Sequence, residues 1–417
     1  MKKIAILTSL LILSYTVSFS QEPISSAAIE QKSLQLFNEK KWDELIPFVK
    51  QALTDGNDYF YLRMRIGIAY YQLSNYTQSE IHFKKALTFN SSDEVAQEYL
   101  YYSYLLNAKY DDARTLSFGF SNKLSEKLEV KKENGLVFFF LEGGTKISDS
   151  AYYFNKGTNS KSNFFNPALY FQTGLTHYIS KHSTLTHAIT YFNQTAHIGT
   201  IAQFQYYINA GFSLKNNWHL SPSIHWVNLG NTTQVTTPPP PTFPPQPPRT
   251  QTIKTVNNYF VGSIEIQKRL TNIIFSLGTT VSNMNSTTQL IHTGGLTVSP
   301  LGNTKLLFGL NAYLHTTTSY ATLNTALSPF VSFDPINKLT IKLSYLTNQN
   351  DNFVEQNGYI INNSPDLTKS RFSILINGNI NKHLSIYGLY QSEQKQEAVQ
   401  LFNYKYSVFV AGFKIIL

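Results

Sequence analysis

The chain has 417 residues, a formal net charge of +9 and no cysteine, which excludes disulfide bonds, thiolate metal sites and a cysteine nucleophile. The charges are distributed unevenly, because residues 21–133 hold 14 basic and 16 acidic side chains whereas residues 134–417 hold 18 and 9. The longer segment is poor in charge for a domain surrounded by water. Two domains that face different solvents are therefore predicted. The sequence has no long basic cluster, which argues against nucleic acid as a partner.

The first 20 residues are patterned as an export signal. Lys2 and Lys3 precede a mostly apolar run over residues 4–19, and Ser20 is a small residue suited to the position before a cleavage site. We expect residues 1–20 to be a signal peptide; an N-terminal membrane anchor is the alternative, although polar residues interrupt the run. Beyond it, no stretch approaches the roughly 20 apolar residues of a membrane helix, so only a closed barrel could place the remaining chain in a membrane.

Residues 30–125 repeat with a period of 34 residues. Trp42, Tyr76 and Tyr110 are spaced by this period, and other apolar positions recur in step with them. The middle copy, YLRMRIGIAYYQLSNYTQSEIHFKKALTFNSS, resembles a tetratricopeptide repeat. The resemblance implies antiparallel helix pairs that stack into a solenoid and dock other proteins.

Within the middle copy, the small residues Gly67 and Ser79 would let two helices approach closely. Stacks of this kind present a groove lined by the first helix of each pair, and here the groove positions share a helical face at a spacing of three or four residues. By the resemblance, the partner-binding groove consists of Tyr61, Met64, Ile68, Tyr71, Val95, Glu98, Tyr102 and Leu105. The alternative is that part of this row packs against the next repeat.

After a charged linker over residues 127–135, the pattern changes to the period-two alternation of β-strands. Each predicted strand has about 10–15 residues, longer than is usual in water-soluble sheets and long enough for tilted membrane strands. Fourteen strands are predicted, within a range of 12 to 16: 136–146, 165–179, 184–196, 201–214, 218–231, 257–270, 272–284, 288–298, 304–317, 320–333, 338–348, 369–380, 383–394 and 402–416.

The connectors between these strands alternate in length. Every even-numbered connector is short, and the three long connectors, 147–164, 232–256 and 349–368, are all odd-numbered. Short turns at one rim and long loops at the other are typical of outer-membrane barrels. The predicted fold is an α + β multidomain chain: an N-terminal α-solenoid of tetratricopeptide repeats over residues 21–126, and an antiparallel transmembrane β-barrel of about 14 strands over residues 136–417. A secreted β-sandwich is the alternative.

In a barrel, the apolar face of each strand meets lipid and the polar face lines the lumen. The stretch IAQFQYYINAGFSLK, residues 201–215, separates these faces cleanly. The predicted lumen-facing residues are Gln203, Gln205, Tyr207, Asn209 and Lys342.

No catalytic motif, metal site or cofactor site is predicted. The ten histidines are scattered without ligand spacing, and no pair of acidic residues is placed where strands would aim it inward. The proline-rich stretch over residues 236–250 is predicted to be a solvated loop.

A repeat domain fused to a barrel resembles the export porins of exopolysaccharide systems and similar outer-membrane proteins. The resemblance implies an outer-membrane location with the repeats in the periplasm. It also implies contact with lipid, a periplasmic protein partner, and polysaccharide or another export substrate. The leading hypothesis is a non-enzymatic barrel whose repeats recruit that partner for export, secretion or envelope assembly. The alternatives are a passive or selective pore and a barrel hydrolase of lipid or sugar.

Overall fold

The computed structural model describes residues 25–130, 135–148, 167–196, 199–237, 249–284, 287–317, 320–364, 366–396 and 403–417. The signal peptide expected at residues 1–20 lies outside the described residues, as do most of the proline-rich stretch 236–250 and of the connector 147–164. Two compact units are present: the first ends at Leu73 and also includes Gln78–Tyr99, and the second comprises Ser74–Thr77 and Leu100–Leu417.

Seven helices form the N-terminal part of the described chain. α2, α4 and α6 begin at Trp42, Tyr76 and Tyr110, so the 34-residue period corresponds to one helix pair and the repeat prediction is confirmed. Among the described residues, no helix is long and apolar enough to cross a membrane. The helices are α1 Ser26–Asn38, α2 Trp42–Thr54, α3 Phe60–Gln72, α4 Tyr76–Phe89, α5 Glu94–Leu106, α6 Tyr110–Ser117 and α7 Asn122–Lys127.

Close approach of α3 and α4 depends on the two small residues singled out in the sequence. A Cβ built on Gly67 would lie 3.0 Å from Cε1 of Phe83, which is fully buried. The hydroxyl of Ser79 donates a hydrogen bond of 3.0 Å to the carbonyl oxygen of Gly67. Larger side chains at either position would therefore force the two helices apart.

Fourteen long strands close into one antiparallel barrel, as predicted. The ends of the sheet meet where β1 pairs with β16, from Phe138 opposite Ile416 to Ser148 opposite Tyr406. The strands are β1 Leu136–Ser148, β2 Ala168–Ser180, β3 Ser183–Ala196, β4 Gly199–Leu214, β5 Trp218–Thr237, β6 Arg249–Arg269, β7 Ile273–Ser282, β8 Gln289–Val298, β9 Leu306–Thr317, β10 Tyr320–Ile336, β11 Leu339–Asn350, β14 Leu367–Asn379, β15 Leu384–Gln396 and β16 Asn403–Ile416, with β12 Val354–Glu355 and β13 Ile360–Ile361 as a separate small hairpin.

The two faces of the barrel differ in polarity as the alternation predicts. On β4, Gln203, Gln205 and Tyr207 are buried inside, whereas Phe204 points outward with 41% of its surface exposed. Similar outward apolar side chains occur on the other strands. A closed sheet has no second sheet to cover this outer face, so the β-sandwich alternative is wrong and the barrel is of the outer-membrane type.

Two of the long connectors differ from the prediction. Most of 232–256 is strand, because β5 and β6 stay paired as far as Thr237 opposite Arg249. The threonine-rich sequences there favour strands, and both faces are mostly polar, so no regular apolar alternation marked them. The connector 349–368 was predicted to be a long loop at the rim, but residues 351–364 fold back into the barrel.

Candidate functional site in the barrel lumen

Residues 351–364 form an inward hairpin that occupies the lumen. β12 and β13 pair through Val354 opposite Ile361. Phe353 and Val354 are buried in an apolar cluster with wall residues of β5 to β11. The ring of Phe353 lies 5.0 Å from that of Tyr313 on β9, and the hydroxyl of Tyr359 donates a hydrogen bond of 2.7 Å to Gln172 on β2. Because β2 and β9 lie opposite each other in the ring of strands, the hairpin crosses the lumen.

The tip of the hairpin is fixed to β5 through backbone atoms. Gln356, Asn357 and Gly358 all have positive φ angles, of 50°, 54° and 81°. The carbonyl oxygen of Asn357 accepts a hydrogen bond of 2.6 Å from the hydroxyl of Ser223, and that of Gly358 lies 2.8 Å from Nδ1 of His225. At Gly358 the φ angle favours glycine, and an added Cβ would lie 2.8 Å from Oγ of Ser263, so a side chain fits here only when that wall residue changes as well.

A buried ion pair joins the hairpin to the barrel wall. Nη2 of Arg371 on β14 donates to both carboxylate oxygens of Glu355, at 2.7 and 2.6 Å, and both residues are buried. Glu393 on β15 lies 3.9 Å from Nη1 of Arg371 and 3.4 Å from Nζ of Lys146 on β1. The hairpin thereby supplies one carboxylate to a charged cluster on the wall.

Two further charges complete this cluster. Lys395 on β15 is 1% exposed and interacts electrostatically with Glu393 and with Asp366, which directly precedes β14. The hydroxyl of Tyr404 donates a hydrogen bond to Asp366. We call Lys146, Arg371 and Lys395 together the wall cations; in the closed arrangement they face three carboxylates, of which Glu355 comes from the hairpin.

A cavity of about 430 Å³ lies between the hairpin tip and the rim of the barrel that carries the short turns. Nζ of Lys414 sits 3.8 Å from the ring centroid of Phe138 there. The carboxylate of Glu142 accepts hydrogen bonds from Tyr170 and Tyr387. The lining consists of Phe138, Phe140, Glu142, Thr186, Tyr207, Asn209, Ser221, Glu265, Gln356, Asn357, Tyr359, Tyr387 and Lys414.

The predicted lumen residues lie on the inner wall but do not form one site. Tyr207 and Asn209 line the cavity, and Tyr207 also packs against Tyr359 of the hairpin at 5.0 Å. Gln205 donates a hydrogen bond of 2.9 Å to Gln203 on the same strand. Lys342 lies on β11, on the opposite wall from β4, with Nζ 4.3 Å from the ring of Phe330.

The predicted groove residues lie on α3 and α5 with different degrees of exposure. Tyr61 is 63% exposed, and Val95 and Tyr102 are also exposed. Met64 is only 8% exposed and belongs to the buried part of the helices. Tyr71 packs edge-on against Tyr99, with ring centroids 5.1 Å apart. Ile68, Glu98 and Leu105 are half-buried.

Sequence reasoning missed the acidic side chains of the lumen. No inward-facing acidic pair was expected, but Glu142 and Glu265 line the cavity and Glu393 lies in the wall cluster. Strand parity could have found Glu393, because it shares the inner face with Tyr387 and Lys395. Among the described residues, no group of three potential metal ligands comes together.

No family model and no curated protein matches this chain. Among solved structures, a Pseudomonas aeruginosa FadL homologue is similar at 10% identity with a TM-score of 0.41, over 67% of this chain and 89% of that one. The Acinetobacter baumannii outer membrane protein Omp33 is similar at 9% identity with a TM-score of 0.37, over 68% and 99%. A MamA mutant is similar at 18% identity with a TM-score of 0.23, over 27% and 78%. These likenesses concern the fold alone.

Proposed function

We propose that the protein is an outer-membrane channel whose lumen is closed at rest by the inward hairpin and which passes small solutes when the hairpin moves. The observation that carries this proposal is the hairpin itself, which reaches from Gln172 on β2 to Tyr313 on β9. A segment that crosses the lumen between opposite walls leaves little room for a solute to pass.

The connectivity supports a movable closure. β11 and β14 pair directly with each other, from Leu339 opposite Gly378 to Asn350 opposite Thr368. The hairpin therefore emerges between two strands that are already joined, and its withdrawal would break no hydrogen bond of the barrel ladder. A two-stranded hairpin is marginally stable alone, so its position depends on its contacts with the wall.

A disulfide lock tests the closure. A Cβ on Gly358 would lie 3.5 Å from Cβ of Ser263 on β6, within the range of disulfide bonds, and the chain has no cysteine to interfere. We expect Gly358→Cys combined with Ser263→Cys to be silent in planar bilayers when oxidised and to show channel openings after reduction. Ser263→Cys alone is the control. Equal conductance in the two redox states, or silence in both, contradicts the proposal.

We also propose that the repeats dock a periplasmic protein. This partner would deliver the solute or export substrate to the channel or receive it from the channel. Exposed aromatic residues such as Tyr61 favour this role, because they supply large apolar area at little entropic cost. A photo-crosslinking residue in place of Tyr61 should give a discrete adduct in cells. The same replacement at Phe89, an exposed aromatic residue of α4, is the control; adducts of the same size at both positions contradict a specific groove.

A periplasmic side for α6 is proposed from contacts within the second unit. Thr115 lies 3.0 Å from Nδ1 of His182 in the short turn between β2 and β3, and the guanidinium of Arg114 lies 3.8 Å from the ring of Tyr178. In outer-membrane barrels the short turns face the periplasm, which supports the same side for α6.

A further inference from the structure

We infer that the wall cations, Lys146, Arg371 and Lys395, are a binding site for anionic solutes of the carboxylate class, which the carboxylate of Glu355 occupies in the closed state. This inference rests on the proposed movement of the inward hairpin. It adds the class of solute and the means by which that solute opens the channel.

The contact of Glu355 with Arg371 has the form of ligand recognition. Both carboxylate oxygens are within 2.7 Å of one guanidinium nitrogen, and neither residue is exposed to solvent. Guanidinium groups recognise carboxylates through short charge-assisted hydrogen bonds of this kind. A free carboxylate that entered the lumen would find the same donor once Glu355 had left.

The rest of the cluster cannot replace Glu355. Glu393 is already shared between Lys146 and Arg371, at 3.4 and 3.9 Å, and Asp366 accepts a hydrogen bond from Tyr404. Withdrawal of Glu355 would leave three cations facing two carboxylates. This local excess of positive charge favours an anion from solution at the place that Glu355 has left.

Competition between Glu355 and a solute would couple binding to opening. A solute that binds the wall cations only when the hairpin is out shifts the equilibrium toward the open state. The excess of basic over acidic residues in 134–417 would also draw anions toward the barrel.

The test uses the full chain with Glu355→Gln, which removes the charge of the occupying group and keeps its size. In planar bilayers we expect its open probability to rise about tenfold. In a tenfold KCl gradient we expect chloride to be preferred over potassium by on the order of threefold.

By calorimetry, succinate should bind the variant at least about tenfold more tightly than the wild type. Addition of Arg371→Gln should abolish both the preference and the binding. Glu129→Gln, which removes an exposed carboxylate paired with Lys382, is the matched control.

The outcomes separate this inference from the proposed function. A Glu355→Gln channel that opens but prefers potassium, and that does not bind succinate, overturns the anion site and leaves the gate standing. Succinate binding that depends on Arg371, in a protein that never conducts, supports the site and contradicts the channel. If the variant neither conducts nor binds succinate, both are wrong. Should Glu355→Gln fail to fold, a hairpin replaced by a short glycine linker allows the same measurements.

Discussion

The hydroxyl of Tyr359 in the inward hairpin donates a hydrogen bond of 2.7 Å to Gln172 on β2, while its ring lies 5.0 Å from that of Tyr207 on β4. The same side chain thus anchors the hairpin by a polar contact and by an aromatic contact, and the two can be separated by mutation.

Tyr359→Phe keeps the ring packing and removes the hydrogen bond. Because such a bond contributes about 0.5–1.5 kcal/mol, we expect the open probability in planar bilayers to rise by roughly twofold to tenfold. Tyr345→Phe is the matched control, since Tyr345 is exposed on the outer face of β11. An unchanged open probability in Tyr359→Phe would mean that this bond does not hold the hairpin closed.

The barrel was predictable from the sequence and the inward hairpin was not. The alternation of apolar and polar residues along segments such as 201–215 indicates which face is buried. The number of strands and the face of each that lines the lumen could therefore be predicted. The hairpin contacts wall residues more than 130 positions away in the chain, including Ser223 and His225, and no local pattern encodes such pairs. Its regular strands have only two residues each, and its asparagines suggest an exposed loop. The apolar residues Phe353, Ile360 and Ile361 were the signal that the segment avoids water.

Only part of the charged cluster could have been predicted from the sequence. Arg371 and Glu393 lie on adjacent strands and pair in register, so parity alone would have placed them together inside the barrel. Their third partner, Glu355, comes from the hairpin and could not be assigned without knowing how that segment folds.

The outer face of β4 should tolerate apolar but not charged side chains. Phe204 lies near the middle of the strand and points outward. A lysine near the bilayer midplane of a barrel costs about 2–4 kcal/mol, so Phe204→Lys should lower the urea concentration at which the protein unfolds from lipid vesicles. Phe204→Leu is the control. Equal midpoints for the two variants would show that this face does not meet lipid.

The helix pair α3 and α4 should be sensitive to volume at position 67. Gly67→Leu overpacks the space occupied by Phe83 and should destabilise the helices by about 1–3 kcal/mol, measured by urea unfolding of the full chain followed by far-UV circular dichroism. Phe83→Ala vacates that space, so the double variant should be less destabilised than the sum of the two single variants. Simple additivity would contradict direct contact.

Acid should weaken the first unit through Glu30. A hydrogen bond from Arg65 holds the pKa of this carboxyl at about 2, below its ordinary value of 4.5. A depressed pKa contributes stability above the unfolded value, and this stability is lost as the pH falls from about 5 to 2. Since the side chain is 41% exposed, we discount the contribution to about 1 kcal/mol.

The measurement is urea unfolding of the helices at several pH values, in wild type and Glu30→Gln. We expect the variant to be less stable than the wild type at pH 7 and the difference to shrink toward pH 2. A difference that stays constant over this range would assign the effect to packing instead of charge.

The orientation of the protein in the outer membrane can be measured by labelling one position in the barrel and one in the repeats. Gln251 lies in the paired extension of β5 and β6 beyond the predicted strands, and Ser92 lies in the exposed turn between α4 and α5. If the short turns and the repeats face the periplasm, Gln251→Cys should react with a membrane-impermeant maleimide in intact cells. Ser92→Cys should react only after the outer membrane is permeabilised. Because the chain has no other cysteine, each signal reports one position. Labelling of Ser92→Cys in intact cells at the rate of Gln251→Cys would place the repeats outside and contradict a periplasmic partner.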